Sequence, residues 1–157
     1  MPPITPFLWF DTQAEEAMTL YVSLFPNSRI TKAVRYDENG PGPAGTVMTM
    51  EAELNGVTFV ALNGGPYFKF TEAVSFVINC EDQAEIDRYW TGLTADGGQE
   101  SQCGWLKDRF GLSWQVVPAN LPALIGGGDP QAAGRARAAM MKMRKLDIAA
   151  LEAARAG

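Results

Sequence analysis

Residues 4–20 read ITPFLWFDTQAEEAMTL, and residues 74–90 read VSFVINCEDQAEIDRYW. Thr12-Gln13-Ala14-Glu15 and Asp82-Gln83-Ala84-Glu85 differ in one residue and lie seventy positions apart. The same offset pairs Thr5 with Ser75, Phe7 with Val77 and Leu8 with Ile78. Each copy is an apolar strand-length run leading into a polar turn and then an amphipathic helix. In the first, Ala14, Ala17, Met18, Tyr21, Leu24 and Phe25 recur at helical spacing until Pro26; in the second, Ile86, Tyr89, Trp90 and Leu93 do so until Gly97-Gly98. Thr12 with Glu15 has the spacing of a capping box, and the second helix starts at Asp82.

Working outward, each strand–helix pair is followed by further strand signals. Ile30–Tyr36 reads as a strand, DENGPGPAG (37–45) as a loop, and Thr46–Leu54 and Val57–Leu62 as a hairpin about Asn55-Gly56, where both turn positions call for positive φ. Ala73–Cys80 reads as a buried strand, and QCGWLKDRFGLSWQVVP (102–118) as a second hairpin turning near Gly111. The fold class is therefore α+β: two βαβββ units, about 1–65 and 72–120 within a module spanning 1–128, forming a cleft between antiparallel sheets, with a C-terminal helical extension over 129–157. In that extension a helix is expected over 131–145, carrying Met140, Met141 and Met143, and a last helix begins at Asp147 with Leu146 and Leu151 as a hydrophobic staple.

Composition narrows the function. The 157 residues suit one globular module, 46% of them apolar. A net charge of −5 argues against nucleic acid and anionic membranes as partners. That charge is uneven: residues 1–128 hold seven basic and fifteen acidic groups, residues 129–157 six and three, so the basic tail is expected to dock on the acidic body or on a sister subunit. No run approaches the ~20 apolar residues of a membrane span, MPPITPFLWF lacks a basic region before its apolar run, and Cys80 and Cys103 do not make a disulfide framework, so a cytoplasmic location is expected. There is no histidine. That removes the commonest general base, the Ser–His and Cys–His nucleophile pairs and the commonest metal ligand.

With these segments in hand, the chain resembles the vicinal oxygen chelate superfamily, which includes glyoxalase I, bleomycin-resistance proteins and fosfomycin-resistance enzymes. FLWFDTQAEEAMTLYVSLFPNS, NGGPYFKFTEAVSFVINCEDQAEIDRYW, CGWLKDRFGLSWQVVP and MMKMRKLDIAALEAA are similar to its PhnB-like branch, often labelled 3-demethylubiquinone-9 3-methyltransferase. The resemblance implies about four ligand positions in metal-dependent members, falling here at Thr5, near Ala61, at Ser75 and at Gln115. Two hydroxyls, a methyl and an amide do not hold Zn²⁺, Fe²⁺ or Ni²⁺. Where metal-dependent members often have Asp-Pro-x-Gly followed by Glu, this chain has Asp108-Arg109-Phe110-Gly111 followed by Gln115. No metal and no cofactor are expected. Gly126-Gly127-Gly128 has no βαβ unit around it that would cradle a methyl donor.

The resemblance to resistance-type binding members implies a pocket for a small, partly aromatic molecule at Thr5, Ala61, Ser75 and Gln115, to which strand alternation adds Phe7 and Trp9, and the aromatic segments add Asn63, Tyr67, Phe70 and Trp105. Cys103, close to Lys107 and Arg109, is the weak candidate for a catalytic group. Cys80, Trp114 and Val116 read as core, Asp108 and Arg109 as a solvated turn pair, and Glu51 and Glu53 as a charged outer face. An enzyme without the superfamily's metal and a structural or interaction protein are the alternatives. A homodimer through the C-terminal helices is expected.

Overall fold

The computed structural model describes residues 3–157. The chain divides into two compact units, one ending at Phe70 and the other running from Thr71 to Gly157. The first unit contains β1 (Phe7–Phe10), α1 (Ala14–Leu24), β2 (Arg29–Arg35), β3 (Val47–Leu54) and β4 (Val57–Asn63). The second contains β5 (Ser75–Cys80), α2 (Gln83–Thr94), β6 (Gln99–Glu100), β7 (Trp105–Lys107) and β8 (Ser113–Pro118), followed by α3 (Leu121–Ile125), α4 (Pro130–Met140) and α5 (Ile148–Ala156).

The duplication is explicit in the topology. The first sheet has the order β1-β4-β3-β2 and the second β5-β8-β7-β6, the same order with every strand advanced by four. In each, the opening strand runs parallel to its neighbour (β1 to β4, β5 to β8) while the hairpins are antiparallel, so the sheets are mixed, not wholly antiparallel as expected. The reason is the βαβββ order itself: the helix crossover and the hairpins leave the last strand running in the direction of the first. The β3–β4 hairpin turns at Asn55 (φ 47°) and Gly56 (φ 83°), with Leu54 opposite Val57.

Each sheet buries one face under its helix. In the first unit Leu8, Phe10, Met50, Ala52, Phe59 and Ala61 are buried along with Ala14, Ala17, Met18 and Tyr21 of α1. In the second, Ile78, Cys80, Trp114 and Val116 are buried along with Ile86, Tyr89, Trp90 and Leu93 of α2. A side chain of Leu, Ile or Met size contributes about 1.5–3 kcal/mol when so buried.

The two helix starts differ. Asp82 caps α2, its carboxylate accepting from the Glu85 N–H (2.9 Å), and the Glu85 carboxylate accepts from the Glu81 N–H (2.9 Å). Thr12 makes no such bond: the N-cap of α1 is Gln13, without a side-chain hydrogen bond, and the Ala14 N–H donates to Asn63 Oδ1 at 2.8 Å. The capping box expected at Thr12 is thus replaced by a cap delivered from the end of β4.

The tail also departs from expectation. α3 is an unanticipated helix, and α4 ends at Met140, short of 145. Beyond it the carbonyls of Met143 and Arg144 accept from the N–H groups of Cys103 and Gly104 (2.8 Å each), which holds that segment out of the helical path. Asp147 does cap α5, and Leu146 and Leu151 are both buried. The basic charge is used within the unit. Arg155 donates to the Leu124 and Gly126 carbonyls, Arg137 to that of Ile125, and Arg135 to those of Ala154 and Arg155, so cations sit where helix C-termini concentrate negative potential. Arg144 and Lys145 pair with Glu100 (3.8 Å) and Asp87 (2.8 Å).

Candidate functional site

The first unit holds a cavity of about 400 Å³. Its walls include Tyr36, Pro41, Pro43 and Tyr67, with Asp11 and Thr12 from the β1–α1 turn. The loop 37–45 makes one wall by folding back over the Tyr36 ring. A Cβ at Gly42 would lie 2.4 Å from that ring, so only glycine allows the approach. The Tyr36 hydroxyl donates to the Asn63 carbonyl, and the Asn63 side chain takes the Ala14 N–H on Oδ1 and donates from Nδ2 to the Val47 carbonyl (3.0 Å). Asn63 therefore fixes β4, α1 and β3 at the cavity rim.

The opposite wall, Gly64 to Tyr67, rests on Trp9. A Cβ at Gly64 would come within 2.3 Å of the indole, whose Nε1 donates to the Gly65 carbonyl at 2.9 Å. Phe68 meets Trp9 edge-on at 4.9 Å and Phe70 meets Phe10 at 5.2 Å, which anchors the rest of the loop. Tyr67 stays 78% exposed beside the opening.

In the second unit the open face of the sheet carries Ser75, Gln115 and Trp105. Gln115 Nε2 donates to Ser75 Oγ at 2.9 Å, and Trp105 lies directly across from Gln115 on β7. A smaller cavity of about 140 Å³ borders Trp105, Lys107, Glu72 and Ser113. Lys107 pairs with Glu72 and holds its carboxyl below the usual range. Ser113 is 1% exposed, and its hydroxyl has no hydrogen-bond partner among the described residues.

The sequence profile of the family described as 3-demethylubiquinone-9 3-methyltransferase matches residues 2–117. The chain belongs to that family. A solved structure of a PhnB protein from Bacillus cereus, bearing the same family description, is 40% identical, with a TM-score of 0.70 over 75% of this chain and 100% of that one. A protein from Pseudomonas aeruginosa (22% identity, TM-score 0.61, 74% and 96% covered) and a fosfomycin resistance protein from Mesorhizobium loti (12%, 0.53, 78% and 94%) share the fold. The last two likenesses, both under 25% identity, are likenesses of fold. No curated protein matches the chain.

At the four positions where the resemblance places metal ligands, the donors of this family member do not fit an ion. Ser75 and Gln115 are bonded to each other as hydroxyl and amide. Thr5 is exposed and precedes β1. Ala61 is 0% exposed and pairs with Leu8, on the face covered by α1, so its expected place on the open face is corrected: the residues of β4 that share the face of Phe7 and Trp9 are Val60 and Leu62. Among the described residues no three His, Cys, Asp or Glu side chains gather as a ligand set.

The other proposed pocket residues scatter. Asn63 and Tyr67 border the larger cavity and Trp105 the smaller. Phe7 is 58% exposed on the open face of β1, and Trp9 and Phe70 serve as struts. Cys103 is half-buried, and its sulfur lies 3.9 Å from the Met141 thioether, which cannot take its proton. Cys80 is core, and burial pushes its thiol up to about 12.

One reading is overturned. Asp108 is 3% exposed, not solvated: its carboxylate accepts from the N–H of Phe110 (2.9 Å), the N–H of Leu112 (3.0 Å) and Trp114 Nε1 (2.9 Å). Arg109 lies over the Phe110 ring (4.8 Å) and 3.7 Å from Asp96. The residues missed in the sequence were Tyr36, Asp11, Thr12, Pro41 and Pro43. Their signal was an aromatic residue immediately before a loop with glycines four and six positions on, the spacing that lets a loop close over a ring.

Proposed function

We propose that the protein binds a small, partly aromatic molecule without a protein-bound metal, and that the first unit's cavity is where it binds. The observation that carries this is the cavity itself: about 400 Å³, within the ~300–1,000 Å³ range of small-molecule sites, with two tyrosines and three prolines on its wall. The neutral Ser75–Gln115 pair supports the metal-free part of the reading. Native mass spectrometry of the protein as isolated tests both parts. A retained organic mass, released in Tyr67→Ala, is the expected result. Stoichiometric divalent metal in the same sample would overturn the metal-free reading.

The family description brings methyl transfer as a second reading. A methyl donor is commonly held by a glycine-rich turn between a strand and a helix, whereas Gly126–Gly128 lie between α3 and α4. Titration calorimetry with S-adenosylmethionine is expected to show no binding; stoichiometric binding would favour the enzyme. Met141, 66% exposed just past α4, supports a homodimer through the C-terminal helices, and Met141→Glu should shift a dimer to monomer in light scattering.

A further inference from the structure

The cavity proposed above is uneven in charge, and that restricts its ligand. Among the described residues that border it, Asp11 is the single charged one, and none is a lysine or arginine. Arg35, on the adjoining β2, does not line the cavity: its guanidinium binds the Gly45 carbonyl (3.1 Å) and is offset by Glu15 at 3.6 Å. The start of α1 offers a partial positive charge, but helix ends carry only about half an elementary charge, and the Ala14 N–H is already bound to Asn63. Asp11 thus places the one whole charge on the lining, and it is negative. The chain as a whole, at −5, adds to it.

We infer that the ligand of this cavity is an organic cation, an amine or quaternary ammonium attached to an aromatic or apolar body, with Asp11 facing the cationic group and Tyr67 covering the body. A carboxylate or phosphate ligand would meet Asp11 without any basic residue on the wall to compensate it. This rests on the small-molecule reading of the same cavity, and the two are separable by experiment.

Three probes share a benzyl body and differ in charge: benzyltrimethylammonium, benzyl alcohol and phenylacetate. Their affinities for the full chain are measured by calorimetry at fixed, low ionic strength. The cation is expected to bind at least tenfold tighter than phenylacetate, with the alcohol between. In Asp11→Asn the preference for cation over alcohol should shrink toward unity while alcohol binding persists. The Asp11 side chain is exposed, so the variant should keep the wild-type circular dichroism and melting temperature. Phenylacetate binding as tightly as the cation, or a preference unchanged in Asp11→Asn, would overturn the charge assignment and leave the pocket standing. Failure of all three probes to bind would overturn the pocket reading and this inference with it.

Discussion

Asp108 offers the sharpest test of how the second unit holds together. Its carboxylate serves two fully buried donors, the Leu112 N–H and the Trp114 indole, and one partly buried donor, the Phe110 N–H. In Asp108→Ala each buried donor loses its acceptor, at about 1–3 kcal/mol apiece. Two such losses give about 2–6 kcal/mol, a large share of the ~5–15 kcal/mol that holds a typical domain. Asp108→Asn is more selective. The retained oxygen can still accept from the two backbone N–H groups, but an NH₂ now faces the indole N–H, so one buried donor is orphaned and the cost is about 1–3 kcal/mol. Replacing that donor in a Trp114→Phe background should then remove most of the Asn penalty. Urea unfolding followed by far-ultraviolet circular dichroism gives all four stabilities of the cycle. An Asp108→Ala cost below about 1 kcal/mol, or an Asn cost unchanged in Trp114→Phe, would refute the account.

Three further outcomes are expected. Asn63→Ala should cost about 1–2 kcal/mol through loss of the α1 cap, and hydrogen exchange at Ala14 should rise more than at the middle of the helix. Cys80, raised from 9.0 to about 12 chiefly by burial, stabilises the fold fully below pH 9, and that contribution is lost as pH climbs from 9 toward 12; unfolding measured over this range should fall more steeply in wild type than in Cys80→Ala. Gln83 donates to the Leu146 carbonyl (3.0 Å) and accepts from the Ile148 N–H (2.9 Å), so Gln83→Ala should speed exchange across residues 146–156 without altering that of β3 or β4.

How much was legible follows from which interactions are local. The repeated strand–helix pair, the Asn55-Gly56 hairpin and the burial of Cys80 and Trp114 rest on periodicity and turn chemistry within a few residues. The sequence failed where a polar side chain had a choice of partners. Asp108 beside Arg109 and Gly111 looks like a solvated turn, and only the curl of the chain from 108 to 114 shows that three donors converge on it. Ala61 was placed by resemblance; Val57–Asn63 is apolar on both faces, so alternation could not check it, and pairing with β1 sets it on the face under α1. The cavity was only half seen because Tyr36 and Tyr67 are thirty-one positions apart, brought to one cavity by glycine contacts that leave no periodic trace.

The unequal caps of the two helices bear on the order in which the units assemble. The start of α2 is satisfied by residues three and four positions away, so that turn can form as soon as its own stretch of chain is free to coil. The start of α1 waits for an acceptor forty-nine residues further along, which arrives only when β4 has docked. Closing that longer loop costs more entropy before any contact repays it. Two copies of one strand–helix pattern thus begin their helices by different means, one within its own turn and one only through contact with a distant strand.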